Sequence, residues 1–295
     1  MIKGLIPKIR YKVKKLIGLF QSQSNALPFR RRFVVVEDGI AHKPFQVYVR
    51  EDSMIEDRVI SKGLYRDWER ESLKIWAHLS GISQTIIDIG ANTGIYSLIA
   101  QNNNLSAKVV AIEPVEINFD VLQKNIHQNN FSIHAEQIAL SDKDGSARMF
   151  MLKDQLNYMT SINDNRYDLH PEIKGKSEVE EIEITIRPFS FVFDKYQLQG
   201  IDLVKIDVEG HEITVLRAML PYIKKWKPVL LVEIIGDENA EILNGMFTDL
   251  DYRFVSINET RKSVVATRLW DNDHHNFLIC HDETISFLRG KGLVV

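Results

Sequence analysis

From residue 85 onward the chain repeats one pattern: a short apolar run, a polar or glycine-bearing break, then apolar positions at helical spacing. Residues 85–89 (TIIDI), 108–112 (KVVAI), 132–140, the run from Ile201 and residues 229–234 are short and apolar enough to be strands covered on both faces. Between them, residues 95–101, 115–129, 212–220 and 237–250 carry helical periodicity, with Phe119, Leu122 and Ile126 marking one face of the second. Residues 252–257 and 276–280 read as the last two strands, and 283–289 as a short closing helix. Alternating β and α units predict an α/β fold, a doubly wound and mostly parallel seven-stranded sheet of the Rossmann-like kind. Residues 148–187 interrupt the alternation. Residues 148–152 and 182–186 look like strands around a polar stretch that contains Tyr158, Arg166, Tyr167 and His170.

The first 80 residues follow other rules. Ile2, Leu5, Ile6, Ile9, Val13, Leu16, Ile17 and Phe20 fall on one helical face, with Lys3, Lys8, Arg10, Lys12, Lys14 and Lys15 mostly off it. A basic amphipathic helix of this kind suits a membrane surface. An organelle presequence, or a helix packed on the rest of the chain or on a twin subunit of a homo-oligomer, fits the same pattern. No stretch of about 20 apolar residues offers a membrane span. Residues 33–36 and 45–49 read as strands of a hairpin around Asp38-Gly39, and 53–79 as helical, with Tyr65 and Trp68 either core or ligand contacts. The expected division is 1–32 as a basic segment, 33–80 as a hairpin and helical layer, and 81–295 as the main domain.

Charge sharpens this division. The 295 residues have a net charge of −3, yet nine of the 37 Lys and Arg lie in residues 1–32, which hold no acid. The remaining 28 basic residues face 40 acidic ones, a balance of −12, which argues against a nucleic-acid partner. The single cysteine, Cys280, lies in an apolar run; it excludes an internal disulfide and fits the reducing cytoplasm, with peripheral membrane contact through residues 1–32.

Candidate chemistry concentrates after the first core strand. Asp88-Ile89-Gly90-Ala91-Asn92-Thr93-Gly94 reads as strand end, glycine turn and helix start, where backbone can approach a ligand and helix N–H groups favour an anion. The spacing G-x-x-x-G lacks the third glycine of the dinucleotide fingerprint. An acid within the turn suits a ligand carrying both a cation and a carboxylate, which S-adenosylmethionine does. The second strand ends at Glu113, placed to accept hydrogen bonds from a ribose diol. Asp142, past the third strand, is either a reader of an adenine amino group or a loop carboxylate. The run from Ile201 ends in Asp207-Val208-Glu209-Gly210-His211-Glu212, and the next strand ends in Glu233. Asp207 and Glu209 either serve the cleft or cap the following helix. Glu209 is the leading general base with His211 its rival, and Asp207 would hold cofactor or substrate. Oxygen ligation of Mg²⁺ by Asp207, Glu209 and Glu233 is conceivable, but no spacing demands a metal.

Asp88-Ile-Gly-Ala-Asn-Thr-Gly94, Glu113-Pro114 and Lys205-Ile-Asp-Val-Glu-Gly-His-Glu212 with Val215-Leu216 together resemble the FkbM family of S-adenosylmethionine-dependent O-methyltransferases, over roughly residues 85–235. The resemblance implies a class I methyltransferase fold. It implies Asp88, Gly90, Asn92, Gly94, Glu113, Asp142 and Asp207 at the cofactor, and a hydroxyl acceptor on a glycan, glycolipid or natural product. His211 stands where the family more often has a small residue, and Arg187-Pro188-Phe189-Ser190 departs from the family pattern. Two other readings compete: a nicotinamide-dependent oxidoreductase, and a non-catalytic membrane-surface module that retains the fold.

Overall fold

The computed structural model describes residues 32–37, 41–49, 69–152, 160–161, 179–271 and 275–295. The basic segment 1–31, the Asp38-Gly39 turn, Tyr65, Trp68 and the polar stretch with Tyr158, Arg166, Tyr167 and His170 lie outside the described residues.

The chain runs β1 (Arg32–Val36), β2 (Phe45–Val49), α1 (Arg70–Ser80), β3 (Thr85–Ile89), α2 (Ile95–Asn103), β4 (Lys108–Ile112), α3 (Glu116–Asn129) and β5 (Ile133–Glu136). Then follow β6 (Ala139–Ser141), β7 (Gly145–Leu152), β8 (Thr160–Ser161), β9 (Val179–Pro188), α4 (Phe189–Lys195), β10 (Leu203–Ile206), α5 (Glu212–Trp226) and β11 (Val229–Glu233). It closes with α6 (Asp237–Phe247), β12 (Arg253–Ser256), β13 (Val264–Ala266), β14 (Asn276–Cys280) and α7 (Asp282–Gly290).

The main sheet has the order β13-β12-β14-β11-β10-β3-β4-β5. β5, β4, β3, β10 and β11 are mutually parallel, and β14 runs antiparallel between β11 and β12. The chain moves outward from β3 to β5 and then returns to place β10 on the other side of β3. That reversal is the switch point where α/β sheets open a crevice at their strand tips. The expected seven strands are joined by an eighth, β13, a short and mostly exposed edge strand whose Val264-Val265-Ala266 is too brief to stand out in the sequence.

Strand alternation sorts the core into two layers. Ile86, Leu203 and Leu231 pack with Leu73, Trp76 and Leu98 on one face, while Ile87, Val204, Ile206 and Val232 pack with Val215, Leu216, Met219 and Ile223 on the other. β2 lies along α3, with its Gln46 and Tyr48 N–H groups donating to Asn129 and Asn125 side chains at 2.7 and 2.6 Å. This use of helix amides satisfies a strand edge that the main sheet does not reach. Cys280 is fully buried and its thiol is pushed up to about 12, first by burial and then by Asp282, so it behaves as a small apolar side chain.

Two boundaries differ from expectation for identifiable reasons. The predicted strand 132–140 is two: β5 pairs with β4, whereas β6 pairs with β9 in a separate four-stranded sheet of order β6-β9-β7-β8. The predicted helix ending at residue 220 continues through Pro221 to Trp226. Burial of Ile223 beyond the proline, with Met219 before it, outweighs the roughly 3 kcal/mol that a helix-interior proline costs.

Candidate active site

The tips of β4, β3, β10 and β11 open into one cavity of about 210 Å³. Its wall includes Gly90, Asn92, Thr93, Glu113, Asp207, Glu209, His211 and Glu233, with Ile112, Ile138, Leu140 and Met149 supplying apolar surface.

The β3 turn is built by backbone. The N–H groups of Gly90 and Ala91 both donate to the Ile112 carbonyl at 2.9 Å, and Asp207 N donates to the Ile89 carbonyl at 3.0 Å. Gly90 has φ +79, and a Cβ on it would lie 1.8 Å from the Asp207 carbonyl oxygen. The glycine therefore lets two strand tips close on each other. Gly94 has another task. With φ +94 it starts α2, and a Cβ there would meet Leu122 Cδ1 at 2.4 Å, so it lets α2 seat against α3 rather than lining the cavity.

Glu113 is buried at the tip of β4. Its Oε2 accepts from Asn92 N at 2.8 Å and its Oε1 from Val115 N at 3.0 Å. Burial raises its carboxyl to about 7, and those amide hydrogen bonds oppose the shift. Asn92 itself has φ +50 and stands at the turn that Glu113 holds.

The β10 end is a strained loop. Glu209 takes φ +54 and Gly210 φ +98. Glu212 Oε1 accepts from Val208 N at 3.2 Å and from Gly210 N at 3.0 Å. Glu212 thus takes the Val208 and Gly210 amides of the turn, while Asp207 and Glu209 line the cavity. A left-handed non-glycine residue costs on the order of 1 kcal/mol or more and persists only where its surroundings enforce it. Carboxylate oxygens of Asp207, Glu209 and Glu233 lie within 4.8 Å of one another, a concentration of negative charge that favours a cation. His211 Nε2 is buried and has no hydrogen-bond partner among the described residues. Burial lowers the His211 pKa and the Asp142 charge partly opposes it, so the imidazole is neutral at pH 7.

Asp88 and Asp142, expected at the cofactor, do not line the cavity. Asp88 is fully buried on the α2 face of the sheet, where Ser97 Oγ donates to its Oδ2 at 2.6 Å. It lies beside Lys205 in the register of β3 on β10, with its carboxylate turned to Ser97 of α2. Asp142 is exposed and lines a second hollow with Phe189, Ser190, Thr214, Arg217 and Tyr222, because β6 belongs to the other sheet and carries it off the β5 tip.

Glu69, Tyr96 and Lys205 also line the cavity and were not anticipated. Lys205 Nζ lies 2.7 Å from Asp207 Oδ2 and 4.5 Å from the centre of the Tyr96 ring. Burial works against the ammonium charge, and Asp207, Glu69 and Asp88 more than restore it, so Lys205 stays protonated. A lysine inside LVKI, two residues before an aspartate on the same strand face, was the available signal. Lys205→Met is expected to cost about 3–5 kcal/mol in chemical denaturation, since it strands buried carboxylates without a counter-charge. A loss below about 1 kcal/mol would show that this ion pair contributes little.

The family model for the methyltransferase FkbM domain matches residues 88–254, more than half of the chain. Methyltransferase 1 of Beauveria bassiana (strain ARSEF 2860) is 29% identical over 45% of this chain and 57% of that protein. The 31-O-demethyl-FK506 methyltransferase FkbM of Streptomyces tacrolimicus is 27% identical over 44% of this chain and 57% of its own length. The match therefore spans little more than half of these relatives. A crystal structure of methyltransferase FkbM from Methylobacillus flagellatus KT aligns with 67% of this chain and 43% of that one, at 17% identity and a TM-score of 0.41. A family match running from the penultimate residue of β3 to the second residue of β12 makes the chain a member of the FkbM methyltransferase family.

Proposed function

We propose that the protein is an S-adenosylmethionine-dependent O-methyltransferase acting on a hydroxyl of a sugar, in a glycan or glycolipid, or of a natural product. The observation that carries this reading is the composition of the cavity wall. Glu113 and apolar Ile112, Ile138, Leu140 and Met149 suit a nucleoside; Asp207, Glu209 and Glu233 suit a cationic end. The tips carrying Glu113 and Asp207 are two strand spacings apart, about 10 Å, the scale of an adenosine with its attached chain. Thr93 Oγ1 supplies a further test of fit: it is buried, lines the cavity and has no partner among the described residues, so it is a donor available to a carboxylate. A relative named for a 31-O-demethyl substrate supports oxygen as the acceptor atom.

When bound, S-adenosylmethionine supplies an electrophilic methyl on sulfur. The chain's own residues then do three things. Glu113 and the Gly90–Thr93 turn fix the cofactor's position, which sets the line of attack. His211, neutral and with Nε2 free of other partners among the described residues, takes the acceptor proton as the oxygen bonds to carbon. The carboxylates of Asp207 and Glu209 stabilise the positive charge around the reacting centre. No helix among the described residues is long and apolar enough to cross a membrane. We place the enzyme in the cytoplasm, with residues 1–32 as its peripheral membrane contact.

Incubation of the full chain with methyl-labelled S-adenosylmethionine and extracts of glycolipids and small molecules should give a labelled product by mass spectrometry. That product should release its label as a methyl ether, not as an ester or N-methyl group. A product methylated on nitrogen or carbon would reject the oxygen acceptor.

A further inference from the structure

We propose that Glu69 holds the α-ammonium group of the methyl donor, through a carboxylate that stands in the cavity wall on the hydroxyl of Tyr96 and faces Lys205 and Asp207. This rests on the reading that the cavity takes S-adenosylmethionine, and it adds a binding residue from outside the family match.

The first argument is positional. Glu69 immediately precedes α1 in the left-handed region, with φ +45, and caps nothing with its side chain. The exposed amides of α1 are taken instead by Glu259, which accepts from Glu71 N at 2.6 Å and from Ser72. Glu69 Oε2 accepts from Tyr96 Oη at 2.5 Å, in the first turn of α2. Trp76 Nε1 in turn donates to the Tyr96 carbonyl at 2.9 Å and locks α1 to that turn. The same arrangement recurs at α5, where Glu212 takes the turn amides while left-handed Glu209 turns to the cavity. In both places one acid satisfies the backbone and a second, on strained backbone, is presented to the ligand.

Charge balance points the same way. The titratable groups facing Glu69 are Tyr96 from α2, Lys205 and Asp207 from β10 and its tip, and Glu259 from the loop after β12, with Asp88 of β3 beyond Lys205. Among the described residues Lys205 is the one cation of this set, against four carboxyl groups counting Glu69. It is already engaged at 2.7 Å by Asp207. A second cation has a place beside Glu69. The cofactor's ammonium supplies it; a neutral hydroxyl acceptor does not. Burial raises the Glu69 carboxyl to about 7, Lys205 opposes this, and Asp207 adds to it. Near neutral pH Glu69 is therefore partly protonated in the free protein, and an arriving ammonium displaces that share of the proton.

Calorimetric titration of the full chain with S-adenosylhomocysteine tests this without turnover. In buffers of different ionisation enthalpy between pH 6 and 8, binding should release protons, most strongly at the acid end. Affinity should rise with pH, by up to about tenfold per unit below pH 7, and level off above it. Glu69→Gln keeps an acceptor for Tyr96, and should weaken binding about tenfold or more and flatten that pH dependence. A ligand lacking the α-amino group should bind wild type and Glu69→Gln alike. Glu113 also titrates near 7, but at the ribose end, so its proton release persists with the amino-free ligand and is subtracted. Equal affinity and equal proton release in wild type and Glu69→Gln would overturn the assignment and leave the cofactor reading intact. Absence of binding of any S-adenosyl ligand to wild type would overturn both.

Discussion

Gly90→Ala is expected to unmake the site and much of the stability with it. The added methyl would sit 1.8 Å from the Asp207 carbonyl oxygen, a backbone atom that cannot rotate aside. The φ of +79 adds about 1 kcal/mol of strain for any residue with a Cβ, and forcing the two strand tips apart adds about 1–3 kcal/mol more. The amide of Asp207 would then lose its bond to the Ile89 carbonyl, and both Asp207 and Glu113 would shift relative to each other. Thermal denaturation should show a loss of about 2–4 kcal/mol, and calorimetry no measurable binding of S-adenosylhomocysteine. Gly245→Ala is the matched control: nothing lies within 4 Å of its Cβ, it is interior to α6, and the change should be neutral or stabilise by up to about 1 kcal/mol. Wild-type affinity in Gly90→Ala would mean the tips do not need to meet.

His211→Ala should lower kcat by about 10²–10⁴ with KM for the cofactor little changed, because the lost group acts on the acceptor proton. The wild-type pH–rate profile should carry an acid limb below the ordinary imidazole range, since burial disfavours the charged ring. That limb should vanish in His211→Ala. Glu209→Gln keeps size and hydrogen bonding and should cost about tenfold. Should His211→Ala retain turnover within a few fold while Glu209→Gln abolishes it, the base is Glu209.

The strand and helix order of the parallel core was readable because each unit repeats the same local signals, apolar run, break, periodic helix. The glycine turn and Glu113 were readable for the same reason: they sit at fixed offsets from a strand end. What escaped was set by contacts distant in sequence. Tyr96 meets Glu69 across 27 positions, and no spacing rule connects an acid before one helix to a tyrosine in the next. Asp88 was assigned to the ligand because it belongs to the motif, yet alternation along β3 directs it to Ser97 and Lys205. Asp142 was expected past the end of one strand, 132–140; the pairing of β6 with β9 divides that strand and sets Asp142 in the neighbouring hollow. The basic segment 1–31 and the polar stretch around Arg166 lie outside the described residues.

The four-stranded sheet shares no ladder with the eight-stranded one, yet Ala139, Leu140 and Met149 bring β6, β7 and their surroundings to the cavity wall. Substitutions at Ala139, Leu140 and Met149 would therefore reshape the cleft without disturbing the alignment of β3 on β10. An architecture divided this way separates the shape of the opening from the strand alignment behind it.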